Sequence, residues 1–278
     1  MPLRKTPLDR SELKRLPGLA KVPEITAVFW ILKLLTTAGG ESASDFLLTT
    51  NPAVGLPIGV VGFALTLWLQ FRTRRYSPVA YWGAVAMVAV FGTMIADVLK
   101  VGLGVPLLAL TIICAVALAA TFLIWHRAEG TLSIHSITTR RREAFYWVTV
   151  SFTFALGTAA GDLTADTFGL GYLGSIVLFA VIMAVPVLGR YGLGLNSVIA
   201  FWFAYIVTRP LGASIADWLA KPASLGGVGM GDGVVAMILL LMFAAVLTVV
   251  VVRHRDADGE AEGADQPESQ PDNETVSV

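Results

Sequence analysis

Long apolar runs are the feature of this sequence that most restricts its fold. The run from Gly233 to Val252 contains no charged residue, and a helix needs about 20 mostly apolar residues to cross a bilayer. Eight such spans are predicted, at 25–45, 55–71, 79–98, 103–125, 144–163, 168–189, 196–217 and 233–252. The runs are continuous rather than alternating, which argues against a transmembrane β-barrel. The sequence therefore predicts an all-α membrane protein with eight transmembrane helices.

Composition agrees with this fold class. Hydrophobic residues make up 55% of the chain and charged residues only 14%, whereas soluble domains carry about 25% charged residues. The net charge of zero and the lack of a basic domain argue against nucleic-acid binding. A single cysteine, Cys114, excludes an intramolecular disulfide and a thiolate metal site. The sequence has no HExxH or GxSxG pattern. We expect no cofactor and no enzymatic activity.

The chain divides by composition into three parts. Residues 1–22 are polar and basic, and the apolar stretch that follows lacks the clean core and cleavage site of a secretory signal. Residues 23–252 form the predicted transmembrane domain. Residues 253–278 are acidic and contain few apolar side chains, so a disordered tail is predicted there.

The distribution of Lys and Arg predicts the orientation. An even number of spans puts both termini on one side, and most of the 20 Lys and Arg residues fall on that side. Only Lys100 and Lys221 are left for the opposite side, while Lys33 and Arg209 lie inside spans. The positive-inside rule then predicts that both termini are cytoplasmic.

A pattern recurs four times along the chain. Each copy has an aromatic residue followed by Trp, then Gly ten residues and Asp fifteen residues after the Trp. The copies are Phe29, Trp30, Gly40, Asp45; Tyr81, Trp82, Gly92, Asp97; Tyr146, Trp147, Gly157, Asp162; and Phe201, Trp202, Gly212, Asp217. Such self-similarity indicates tandem repeats, at about 24–75, 76–127, 141–190 and 196–252. Each repeat is a two-helix hairpin in parallel orientation, which predicts a pseudo-fourfold or twofold axis along the membrane normal.

Each recurring position has a predicted role. Aromatic and Trp residues favour the membrane interface, here the cytoplasmic one. Gly followed by a small residue four positions later allows close helix packing, which makes Gly40, Gly92, Gly157 and Gly212 helix-packing residues. Fifteen helical residues span about 22 Å, so the aspartates should lie together near the outer side.

The four aspartates are the leading candidates for ion binding or permeation. Rings of acidic side chains give cation selectivity, and ionisable residues within spans are functional candidates. Two further acids lie one helical turn away, Glu41 before Asp45 and Asp166 after Asp162. Carboxylate oxygens suit Mg²⁺, Ca²⁺ or Mn²⁺, so Glu41, Asp45, Asp162 and Asp166 are predicted metal ligands. Both added acids could instead lie in water beyond the helix ends.

Four basic residues are predicted to gate or balance these acids. Lys100 and Lys221 follow Asp97 and Asp217 at helical spacing, and they could form plain structural pairs with them. Lys33 lies about one turn from the predicted interface and could extend toward it.

Arg209 lies deeper and precedes Pro210, which predicts a broken helix lining a cavity. The alternative for Arg209 is a buried pair with an aspartate. Thr36, Thr37, Gly39 and Gly40 predict a second weak point, in the first helix.

Three stretches carry a resemblance to a known family: Ser133–Trp147, Ala155–Asp162 and Thr208–Asp217. They resemble bacterial multi-span membrane proteins usually catalogued as uncharacterised or "membrane-anchored", over most of residues 22–252. The resemblance implies location in the bacterial inner membrane. It implies no particular substrate.

The residues favour a cation transporter or channel-like permease, with divalent metal export of the Mn²⁺ type as the favoured activity. The expected partners are an inorganic cation and the lipid bilayer, and a homo-oligomer is left open. One alternative is a structural or sensory membrane protein whose aspartates pair helices together. Another is an intramembrane enzyme with an acid pair, which would need an apolar lateral opening near Asp162.

Overall fold

A computed structural model describes residues 20–264, and this part of the chain is helical without strands. Its eight long helices are α1 (Ala27–Thr50), α2 (Pro52–Arg72), α3 (Pro78–Asp97), α4 (Leu107–Glu129), α5 (Arg140–Asp162), α6 (Gly171–Gly192), α7 (Ser197–Ala220) and α8 (Asp232–Ala264). Because α8 continues to Ala264, the predicted disordered tail is wrong for residues 253–264. The rest of that tail and residues 1–19 lie outside the described residues.

Seven of these helices, α2 to α8, are long and apolar enough to cross a membrane. This confirms the prediction of a multi-pass membrane protein at the level of its helices. Helix α1 has 24 residues but is less apolar, because it contains Lys33, Glu41 and Asp45.

Local sequence signals set the helix ends. The Thr26 and Thr139 hydroxyls accept hydrogen bonds from the first turns of α1 and α5, which satisfies free backbone N–H groups there. Pro52 and Pro78 begin α2 and α3, where a missing N–H costs nothing. Gly130 ends α4 in the left-handed conformation.

Helices α3 and α5 continue beyond their aspartates into one wider, π-helical turn. These turns are Val98–Gly102 after Asp97 and Leu163–Thr167 after Asp162. A π-helical turn rotates the side chains that follow it relative to a regular helix. Lys100 and Asp166 lie within these turns.

The long helices form an inner and an outer set. The inner helices contact one another in the order α1–α3–α5–α7, and α7 also contacts α1. Each outer helix packs mainly on the inner helix of the following hairpin: α2 on α3, α4 on α5, α6 on α7, and α8 on α1. The charged residues of α1 therefore lie inside the bundle.

Four glycines allow the inner helices to approach closely. A methyl group on Gly40 would overlap Ala89 of α3, and one on Gly157 would overlap Arg209 of α7. A Cβ added to Gly92 would lie 2.7 Å from Phe154 Cβ of α5. A Cβ added to Gly212 would lie 2.5 Å from a Thr37 methyl of α1. Each glycine thus packs on the next inner helix at an equivalent position, namely the residue that follows the Trp of that helix by seven positions.

The predicted helix breaks are wrong. Helix α7 runs without interruption from Ser197 to Ala220 and includes Pro210. Helix α1 likewise continues through Gly39 and Gly40. Neighbouring helices pack tightly at both places, and such packing keeps a helix containing Pro or Gly intact at membrane depth.

Candidate functional site

Residues spaced four apart on the inner helices form a stack of levels, which we call the axial column. A step of four keeps side chains on one helix face, and the steps start at the aromatic residue before each repeat Trp. Level one is Phe29, Tyr81, Tyr146 and Phe201; level two is Lys33, Val85, Val150 and Tyr205; level three is Thr37, Ala89, Phe154 and Arg209. Level four is Glu41, Thr93, Thr158 and Ala213, and level five is Asp45, Asp97, Asp162 and Asp217. All sixteen residues of levels one to four are buried, and so is Asp217 of level five, whereas Asp45, Asp97 and Asp162 are partly exposed.

Level one is an aromatic layer inside the bundle. The Tyr81 and Tyr146 hydroxyls lie 2.5 Å apart, and the ring centroids of Phe29 and Phe201 are 6.1 Å apart. The adjacent Trp82, Trp147 and Trp202 are also buried. These aromatic residues therefore pack against one another inside the bundle, and their location at the cytoplasmic membrane interface stays a prediction.

Lys33, at level two, is completely buried. Its Nζ lies 4.0 Å from the ring centroids of both Phe154 and Tyr205, within the range of a cation–π contact. Its Nζ has no hydrogen-bond partner among the described residues. Lys33 therefore does not extend to an interface as predicted.

Arg209, at level three, is also completely buried, and its guanidinium points into level four. Nη2 lies 2.6 Å from a Glu41 carboxylate oxygen and donates to the hydroxyls of Thr93 and Thr158. Nη1 donates to the Thr37 carbonyl at 3.3 Å. The sequence left two roles open for Arg209, a gating residue or a buried pair with an aspartate. In the structure Arg209 does form a buried ion pair, but its partner is Glu41.

Glu41 is the carboxylate at the centre of the column. It is 3% exposed, and the same oxygen that meets Arg209 accepts a hydrogen bond from Thr93 at 2.8 Å. Thr158 lies 3.3 Å from that oxygen. The prediction left open whether Glu41 lies in water; in the structure it lies inside the bundle.

At level five, lysines pair with aspartates of the neighbouring inner helix. Lys100 Nζ lies 2.7 Å from Asp162 and 3.3 Å from Asp166 of α5 and its extension. The predicted Lys100–Asp97 pair is absent from the described ion pairs, and Asp97 makes none of them. The π-helical turn after α3 places Lys100 toward α5 rather than back along its own helix.

Lys221 lies just beyond the end of α7 and contacts three acids. Its Nζ is 2.5 Å from Asp45, 3.0 Å from Asp232 and 3.8 Å from Asp217. Burial by itself would lower the pKa of the Lys221 ammonium, but the carboxylates of Asp45 and Asp217 raise it above its ordinary value. The predicted Lys221–Asp217 pair is thus present, yet Asp45 is the closer partner.

The four predicted metal ligands are not gathered at one point. Glu41 pairs with Arg209, Asp45 with Lys221, and both Asp162 and Asp166 with Lys100. Within residues 20–264, no group of three or more His, Cys, Asp or Glu side chains is placed to hold a metal ion. The geometry therefore does not support the predicted four-carboxylate divalent site.

A second buried ion pair, which the sequence pattern did not predict, joins Lys21 and Glu143. Lys21 Nζ lies 2.6 Å from Glu143, which also accepts a hydrogen bond from Gln70 at 3.0 Å. Glu143 is 1% exposed. Glu143 directly follows the three arginines Arg140–Arg142, and such a charged run is typical of a solvated turn, so its burial could not be predicted from the sequence.

This fold and these charges define a class: an all-α protein of multi-pass type with a charged column among its inner helices. The family described as Repeat of Unknown Function (DUF347) matches residues 80–131, 145–194 and 200–256, more than half of the chain. The chain belongs to this family. The three matched stretches confirm the internal repeat over helices α3 to α8. No curated protein and no solved structure matches the chain.

Proposed function

We propose that the protein is a membrane transporter for a monovalent inorganic cation that moves along the axial column. The observation that carries the proposal is the buried Arg209–Glu41 ion pair at level four, with Lys33 one level beyond Arg209. Charges enclosed at membrane depth are costly, and they are usually kept for ion pathways or proton relays. Well-packed apolar residues would stabilise the bundle at least as well as this pair.

The architecture we propose is four parallel hairpins around a pseudo-fourfold axis. Helices α1 and α2 form the hairpin that precedes the three family repeats. The equivalent close contacts of Gly40, Gly92, Gly157 and Gly212 support this arrangement, because they pass from each inner helix to the next and return to α1. An axis bounded by four equivalent helices is a natural position for an ion pathway.

The charge at level five favours cation entry. Six acids surround this end of the column, namely Asp45, Asp97, Asp162, Asp166, Asp217 and Asp232, against two lysines, Lys100 and Lys221. Excess negative charge at an entrance concentrates cations and repels anions. Asp97 is partly exposed and lies in no described ion pair.

A single positive charge fits the interior better than two. Glu41 is the one acid in levels one to four, and the Arg209 guanidinium occupies it in this structure. A monovalent cation that replaces the guanidinium at Glu41 leaves the net charge of that contact unchanged. A divalent ion would add a second uncompensated charge to that of the displaced guanidinium, which is more unfavourable. We therefore propose a monovalent substrate in place of Mn²⁺.

One observation favours a second candidate function, a non-transporting structural or sensory protein. Lys100 bridges α3 to α5, and Lys221 bridges α7 to α1. Both bridges tie neighbouring inner helices together and would do so without any ion flux. The location proposed for either function is the bacterial inner membrane with cytoplasmic termini, on the Lys and Arg distribution alone.

Ion flux into proteoliposomes tests the proposal. Purified protein would be reconstituted, and uptake of Na⁺, K⁺ and Mn²⁺ measured separately against empty vesicles. We expect uptake of Na⁺ or K⁺, at least a tenfold loss in Glu41→Gln, and no change in Glu24→Gln, whose side chain is 84% exposed. Uptake no faster than in empty vesicles, or undiminished in Glu41→Gln, would contradict the proposal, whereas uptake of Mn²⁺ alone would restore the divalent hypothesis.

A further inference from the structure

The buried amine of Lys33 takes no part in the proposed binding of a cation at Glu41. We propose that Lys33 carries the proton that is exchanged for the transported cation, so that the protein is a cation–proton antiporter. This inference rests on the proposed function and adds the coupling ion to it.

The surroundings of Lys33 favour neither protonation state through hydrogen bonds. Its Nζ is enclosed by the faces of Phe154 and Tyr205 and has no hydrogen-bond partner among the described residues. A charged ammonium there has three unsatisfied donors, and a neutral amine has an unsatisfied lone pair. Enclosure away from water favours the neutral amine, whereas the two cation–π contacts favour the ammonium, so a change in nearby charge can shift the balance between the two states.

The nearest charged group is Arg209. Its Cζ lies 4.9 Å from the centroid of the Phe154 ring that also contacts Lys33. The other titratable groups in the surrounding levels are the hydroxyls of Tyr205 on α7, Tyr146 on α5 and Tyr81 on α3. On α1 itself, Glu41 lies two helical turns away, about 12 Å along the helix.

The exchange step follows from these positions. A cation that binds Glu41 displaces the Arg209 guanidinium, which can move along the Phe154 ring toward Lys33. Two positive charges then share one enclosed space, and the Lys33 ammonium releases H⁺ to become a neutral amine. Only an N–H bond is broken, and the column gains one positive charge with the cation while losing one with the proton. When the cation leaves, Arg209 returns to Glu41 and Lys33 takes up a proton again.

Tyrosine hydroxyls offer the proton a route toward level one. Tyr205 lies at the level of Lys33, and its hydroxyl interacts with Tyr146 one level further on. The Tyr146 and Tyr81 hydroxyls, one level further on, are 2.5 Å apart. Each hydroxyl can both donate and accept a hydrogen bond. Tyr205→Phe keeps the ring beside Lys33 but removes the first hydroxyl of this route.

Proteoliposomes that contain a pH-sensitive dye test the coupling. When Na⁺ or K⁺ is added outside, we expect the lumen of wild-type vesicles to become alkaline as cations enter. An imposed pH gradient, acidic inside, should drive cation uptake in the absence of a cation gradient. Lys33→Met should abolish both pH effects, and Tyr205→Phe should slow them at least threefold. Glu24→Gln should behave as wild type.

The outcomes separate the two proposals. Cation uptake without any pH change in wild-type vesicles would overturn the antiport mechanism and leave the transporter proposal standing. Proton movement that persists in Lys33→Met would likewise exclude Lys33 as the carrier. The absence of cation uptake in every arm would refute the transporter and, with it, the antiporter. Should Lys33→Met fail to fold in detergent, the gradient-driven uptake by wild-type protein still decides whether protons are coupled.

Discussion

The carboxylate at level four and the carboxylates at level five lie one helical turn apart, and they differ in how far they and their basic partners are buried. Glu41 at level four is 3% exposed and meets a guanidinium that is not exposed at all. Asp45 and Asp162 at level five each keep 15% of their side chains exposed and pair with lysines that are more exposed than they are. Removing one partner of a buried pair costs several times more than breaking an exposed pair. The two levels should therefore respond very differently to the same kind of substitution.

The largest effect is expected for Glu41→Gln. The substitution leaves Arg209 charged, enclosed and without a counter-ion, and such a loss costs about 3–5 kcal/mol. Thermal unfolding in detergent would show a lower Tm than for wild type, with Glu24→Gln as the neutral control. A loss no larger than that of the control would mean that water reaches level four.

The double variant Glu41→Gln/Arg209→Met tests whether the two residues stabilise the protein as a pair. With both charges removed, the uncompensated guanidinium is gone, so the double variant should unfold at a higher temperature than Glu41→Gln alone. Contacting charged residues typically couple by about 0.5–3 kcal/mol. Strictly additive losses in the two single variants and the double variant would argue that the residues do not act as a pair.

A smaller effect is expected for Lys221→Met at level five. The lysine is 22% exposed and neutralises Asp45 and Asp232, so its removal should cost on the order of 1 kcal/mol. Added salt should reduce that difference, whereas it should leave the Glu41→Gln difference unchanged. Equal salt dependence at the two levels would remove the distinction between them.

The raised pKa of Lys221 gives this variant a pH signature as well. Because the folded-state pKa is above the unfolded value, the stabilisation is complete below the unfolded pKa, about 10.4, and is lost only as the pH rises through the folded pKa. The Tm difference between wild type and Lys221→Met should therefore not decline from about pH 7 to pH 9. A difference that already declines in this range would contradict the assigned ion pairs.

The smallest effect on stability is expected for Asp97→Asn, because Asp97 lies in no described ion pair. Its unfolding free energy should change by no more than about 0.5 kcal/mol. The cation uptake of this variant should nevertheless fall by about twofold or more, since one carboxyl group of the proposed entrance is lost. Unchanged uptake would indicate that this aspartate lies off the ion pathway.

The sequence spacing predicted part of this site. Two of the aspartates that lie fifteen residues after a repeat Trp, Asp45 and Asp217, do come together, because both contact Lys221. The spacing did not predict the lysine partners. Lys100 follows Asp97 by three residues, but a π-helical turn directs it to Asp162, and a regular helix had been assumed.

The burial of Lys33 was not predicted, for a related reason. Because Trp30 and its equivalents were expected at the membrane interface, Lys33, three residues later, was expected near water. In the structure, Trp82 and Trp202 are enclosed within the bundle, and so is Lys33. The Arg209–Glu41 pair was within reach of the same reasoning, because the two residues fall on adjacent levels once steps of four are counted around the ring.

The packing of each outer helix on the next inner helix, with α8 closing on α1, has a consequence for biosynthesis. Chains fold from the N-terminus as they leave the ribosome, yet Lys33 and Glu41 of α1 meet their partners only when α7 has been made. The first of the described helices to be synthesised is thus the last to be completed. Until translation reaches α7 and α8, the nascent protein has to shelter two unpaired charges from lipid.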